Sequence, residues 1–210
     1  MKIRALALLL AAMPAAAGSR PSELPVAFYT SFQQPAPPAV VGAMRAELGA
    51  ILAPSAMRFE WRSLDSVNGS EVSSELAVLT FKGRCDVEGL TFQTESVGAL
   101  GWTHVTDGVI LPFADIDCDR VRLFLQRDLI YLPAAEREAA FGRALARVVA
   151  HELYHIFVRT ADHSSDGICK SAFSTQDLLS TDFQIKARNM LQLKRYLPHG
   201  DLVESAGGTF

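Results

Sequence analysis

Few stretches restrict a chain as much as Val148-Val149-Ala150-His151-Glu152-Leu153-Tyr154-His155-Ile156-Phe157. Its apolar residues leave almost no wet face, so as a helix it must be buried. Taking two imidazoles and a carboxylate into a core is costly unless each finds a partner. Positions i and i+4 of a helix lie one above the other, so His151 and His155 point at one spot. That spot suits a zinc ion, for which neutral imidazole is a good ligand. Glu152, between them, can reach a water held beside the metal. The rest of the chain has to build a core around this helix and bring a third ligand to it.

The 210 residues are 49% hydrophobic and 20% charged, which is material for one domain with a sizeable core. Met1-Lys2-Ile3-Arg4 precedes an apolar run that ends in Ala15-Ala16-Ala17. A charged start, an apolar middle and a small-residue end are the parts of a secretory signal peptide, and the run is shorter than the roughly 20 residues a membrane span needs. We therefore expect residues 1–17 to be a signal peptide, and 18–210 a single secreted or periplasmic domain, monomeric and free of the membrane after cleavage. A net charge of −3 supplies no basic stripe for nucleic acid.

In chain order, Val26 to Phe32 is rich in strand formers, and Val41, Met44, Leu48, Ile51 and Leu52 fall at helical spacing between Ala39 and Leu52. Met57, Phe59 and Trp61 then alternate with Arg58, Glu60 and Arg62, which predicts a strand near a sheet edge. Leu76 to Phe81 is apolar on both faces, which predicts a central strand covered on both sides. This order suggests a mainly parallel sheet with helices packed on it.

Leu100 to Val105 and Val109 to Asp117 flank Asp107-Gly108, a strong hairpin signal, and Pro112 demands a bulge or an unpaired position. His104 reads as a surface or cleft-rim residue. A short helix is expected over Asp119 to Gln126. The long helix would start near Pro133 and run to about Val158, with Glu136, Arg137, Arg143 and Arg147 on its wetter side. Residues 164–169 form a loop by composition, and Ser174 can cap a final helical region from Thr175 to Tyr196, before Pro198-His199-Gly200.

A catalytic zinc site commonly has three protein ligands and one water. No Glu recurs between Glu152 and Glu204, so the candidates for the third ligand are Asp162, His163 and Asp166. Here the chain resembles the metzincin zinc peptidases, and more closely a short bacterial secreted group with His-Glu-x-x-His, seven residues, then His-Ser-x-x-Gly-Ile-Met. The matching residues are His151-Glu152-Leu153-Tyr154-His155 and His163-Ser164-Ser165-Asp166-Gly167-Ile168-Cys169. The usual metzincin spacing puts a Gly three residues after the second His and the third ligand six after it. This chain has Val158 and Ala161 there, so its helix or its return to the metal must be longer. His163 is the favoured third ligand and Asp162 the alternative.

The resemblance implies an α+β, zincin-like fold. Its core would be a five-stranded, mixed, mainly parallel twisted sheet with an antiparallel edge strand, followed by the active-site helix and a short helical C-terminal part. It would divide into an upper part, about 25–158, and a lower part, about 159–198. Leu100, Gly101, Trp102, Thr103 and His104 take the place of the edge strand that binds an extended peptide by main-chain pairing. Cys85 and Cys118 would then end neighbouring parallel strands and form a disulfide. Gly167 and Cys169 would lie in the turn beneath the metal, where the family has a methionine that packs without ligating. Cys169 either takes that packing role or, as a thiolate, coordinates the metal.

The function implied is a secreted zinc endopeptidase in which His151, His155 and His163 hold one zinc ion. Glu152 acts as the general base toward a peptide or protein substrate. The alternatives are a non-catalytic zinc-binding module of the same fold and a zinc hydrolase of a non-peptide amide.

Overall fold

A computed structural model describes residues 25–92, 98–181 and 183–196. The expected leader, the tail and His199 lie outside them. The elements, in order, are β1 (Val26–Phe32), α1 (Pro38–Leu52), β2 (Phe59–Ser63), β3 (Glu75–Lys82), β4 (Gly101–Thr106), β5 (Val109–Asp117), α2 (Cys118–Tyr131), α3 (Ala134–Val158), α4 (Thr175–Leu179) and α5 (Ala187–Tyr196). The strands form one five-stranded sheet in the order β2-β1-β3-β5-β4, parallel throughout except for β4. This is the zincin-like α/β architecture that the sequence led us to expect. No helix among the described residues is long and apolar enough to cross a membrane.

The middle strand, β3, is covered less evenly than its composition suggests. Ala77, Leu79 and Phe81 are fully buried, whereas Leu76 is 38% exposed and Val78 and Thr80 are half-buried. Paired residues of parallel strands share a face, and Phe28, the partner of Ala77, lies 6.2 Å from Phe157 of α3 between ring centroids. The sealed face is therefore the one that meets α3. On the other face long polar side chains do part of the covering: Arg62 lies over the Tyr29 ring and donates to its hydroxyl.

The hairpin turns at Asp107 and Gly108, both with positive φ, as a two-residue turn matched to strand twist requires. Thr103 pairs with Ala114 and Val105 with Ile110, so Leu111, Pro112 and Phe113 all stand opposite His104. The expected irregularity thus falls at Pro112, which has no N–H to give the ladder. Cys85 and Cys118 are joined in a disulfide between the end of β3 and the start of α2.

Three expectations need correction. The helix after β5 is not confined to Asp119 to Gln126 but spans Cys118–Tyr131, because Cys118, Val121, Leu125 and Leu129 continue one buried stripe. The final helical region is two helices, with Ser174 and Asp177 forming a reciprocal capping box at the start of the first. Arg147 is not on a wet side of α3 at all: it is 0% exposed. Its guanidinium donates to Glu47 of α1 and to the carbonyls of Asp177 and Ser180, and stacks 4.7 Å from the Phe183 ring centroid. Four partners from two distant segments make burial of this charge tolerable.

Candidate metal centre

The last turns of α3 carry the site. His151, Glu152 and His155 are all buried there, between the sheet and the segment that follows the helix. The helix stops at Val158 because Arg159 adopts a left-handed conformation, φ 54°, an unusual place for a residue with a side chain. That turn falls one residue later than in the usual metzincin spacing. It brings Thr160 back so that its carbonyl accepts from His155 Nδ1 at 2.6 Å. Further on, the 3-10 turn Gly167–Cys169 places the Ile168 carbonyl 2.6 Å from His151 Nδ1. Gly167 has φ 68°, the positive value expected of it.

A carbonyl oxygen only accepts, so each Nδ1 carries the ring hydrogen and each Nε2 is left with a bare lone pair. The two Nε2 atoms are 3.0 Å apart. Lone pairs that close repel unless a cation lies between them. A proton does not serve, because burial first, with the charges of neighbouring imidazoles opposing the backbone bond, pulls His151 down to about 4. His155 is lowered by the same burial.

His163 closes the triangle, its ring centroid 5.3 Å from that of His151 and 4.9 Å from that of His155. One nitrogen from each of the three lies within 4.8 Å of the others. Three imidazoles converging in this way, two of them oriented from behind by carbonyls, fit a divalent zinc-like ion in both donor chemistry and arrangement.

Asp162 is exposed, and both it and the buried Cys169 lie outside this group. The Cys169 thiol is 2% exposed and accepts from Asn189 Nδ2 at 3.2 Å. Burial pushes it up to about 11, so it stays protonated. Tyr154 packs below the site, its hydroxyl donating to Gln192. His104 points elsewhere, with Nε2 2.9 Å from Asp115 Oδ2.

Glu152 faces the same cavity, of about 600 Å³, as the three histidines. Its walls include Leu100, Trp102, Phe124, Val148 and Phe173, and Gly101, Trp102 and Thr103 of β4 form one side. β4 is the end strand of the sheet, so its outer main-chain groups border the cavity unpaired with any other strand among the described residues. Burial drives the Glu152 carboxyl up to about 7, against hydrogen bonds from Thr103 that pull it down. Two contributors had no local signature in the sequence: the hydroxyl of Thr103, which reaches Glu152, and Phe173, whose ring meets His151 edge-on at 5.5 Å.

The chain matches no protein-family model and no curated protein. Its fold is similar to that of archaemetzincin from Methanopyrus kandleri, a crystal structure at 1.5 Å resolution, with a TM-score of 0.50 at 14% identity, covering 82% of this chain and 96% of that one. At this identity the likeness is one of fold, and the fold it shows is the zincin-like one.

Proposed function

We propose that this chain is an exported zinc-dependent endopeptidase. The observation that carries the reading is the pair of bare Nε2 atoms 3.0 Å apart, with His163 closing the set and Glu152 in the same cavity. Likeness to a protein named archaemetzincin supports it, as does the His-Glu-x-x-His pattern.

His151, His155 and His163 would hold one zinc ion. Bound there, zinc would polarise the scissile carbonyl and make a nearby water more acidic. Glu152 accepts the proton of the attacking water and returns it to the leaving amine nitrogen as the peptide bond breaks. The outer edge of β4 aligns the substrate backbone by strand addition, and the walls of the cavity exclude bulk water. The Nδ1 bonds to Thr160 and Ile168 hold the imidazoles in the tautomer that ligation needs.

The test is metal content and peptide-library cleavage by the purified chain. Glu152→Gln should keep zinc and lose cleavage. His163→Ala should lose most of the zinc, while Asp162→Ala keeps it. Zinc retained by His163→Ala and lost by Asp162→Ala would reverse the third-ligand assignment, and zinc bound without any cleavage would favour the non-catalytic module.

A further inference from the structure

Thr103 Oγ1 lies 2.8 Å from Glu152 Oε2 and 3.3 Å from the main-chain oxygen of the same residue. A hydroxyl has one hydrogen, and the shorter contact, to a carboxylate, is the stronger claim on it. Two residues back on the same face of the strand, Gly101 lies close under the same side chain: a Cβ there would be tight, at 3.1 Å from Glu152 Oε1, 3.0 Å from Val148 Cγ1 and 3.2 Å from the Asp115 carbonyl. Both residues are locked into the sheet, Gly101 opposite Ile116 and Thr103 opposite Ala114. The carboxylate is thus bonded at one oxygen by Thr103 and closely approached at the other by Gly101 of the same strand.

We propose that Thr103 is a positioning residue for Glu152, its hydroxyl holding the carboxylate in one orientation within the cavity. The proposal rests on the peptidase reading above, in which Glu152 moves the proton. A glutamate side chain has three torsions to settle, and a base that wanders by an ångström loses much of its advantage. Fixing it from the strand that also aligns the substrate ties base and scissile bond to one frame. Thr103 would also suit the strand simply as a β-branched residue. Removing the hydroxyl while keeping the shape separates the two roles.

Thr103→Val keeps the shape and loses the donor, and Thr103→Ser keeps the donor. With a peptide that the wild type cleaves, Thr103→Val should lower kcat by about 10- to 100-fold with KM and zinc content unchanged, and Thr103→Ser should stay within about threefold of wild type. A second measurement needs no turnover. In protein labelled with carboxyl-enriched glutamate, the resonance assigned to Glu152 by its loss in Glu152→Gln should move in Thr103→Val and stay in Thr103→Ser. An unchanged kcat in Thr103→Val, an equal loss in both variants, or a resonance that ignores the hydroxyl would overturn the proposal. If the wild type cleaves no peptide, the peptidase reading fails by itself, and the resonance alone decides whether Thr103 positions Glu152.

Discussion

Replacing Arg147 by Met should be among the most damaging single changes available outside the candidate metal centre. The side chain is 0% exposed, and its partner Glu47 is 16% exposed. Methionine fills much of the space but withdraws every donor, leaving a largely buried carboxylate and removing the guanidinium from the Asp177 and Ser180 carbonyls. Breaking a buried pair from one side costs about 3–5 kcal/mol. Glu47 retains some water access, so the lower end, about 3 kcal/mol, is expected. For a domain of this size that is a fall of roughly 6–12 °C in melting temperature. Urea unfolding followed by circular dichroism measures it directly, and Arg147→Met with Glu47→Leu should recover part of the loss, since an apolar pair can replace an ionic one. A loss below about 1 kcal/mol, or no recovery in the double variant, would refute the idea that this residue braces α1 and the segment around α4 against α3.

Three further outcomes are expected. Reducing the Cys85–Cys118 bridge, or replacing both residues by Ala, should cost about 3–4 kcal/mol on the chain-entropy view, read from unfolding with and without reductant. Burial would raise Asp177, but bonds from Lys170 and Ser174 outweigh it and hold it down to about 2, so its contribution is present above the unfolded value near 4 and disappears as pH falls toward 2. After discounting for partial exposure, Asp177→Asn should cost about 1–2 kcal/mol at pH 6 and almost nothing near pH 2, and a cost independent of pH would count against this linkage. Cys169→Met should retain zinc and cleavage, because the thiol bonds to Asn189 and lies outside the histidine group; loss of zinc as severe as in His155→Ala would make it a ligand.

What could be read in the sequence was what neighbours in the chain determine. His151 and His155 share a helix face by spacing alone, and Asp107-Gly108 announces its turn by conformational preference. The stop at Arg159 was less visible, since nothing in an arginine advertises a left-handed backbone. Where reading failed, the deciding partner was far away. Arg147 looked like a surface charge because Glu47 is 100 residues distant. The break between α4 and α5 contains neither Pro nor Gly among residues 180–186. There the Asp177 and Ser180 carbonyls, the acceptors a continuing helix would use, are taken by that same arginine. Thr103 was legible as a strand residue and illegible as a partner of Glu152, 49 positions on.

The Cys85–Cys118 bond also changes what a cut in the chain would mean. It encloses a covalent ring of backbone that includes all of β4 and β5, and with them the strand that borders the cavity. A single hydrolysed peptide bond anywhere inside that ring leaves one molecule, its two pieces still tethered beside the sheet they pair with. Such a nicked form would run as one band without reductant and as two with it. A chain that works among proteases, or cleaves its own copies, would thus keep both halves of its cleft covalently joined after a first wound there, whereas after a cut between Cys118 and the helix that carries His151 and His155 only non-covalent packing would hold those histidines to the sheet.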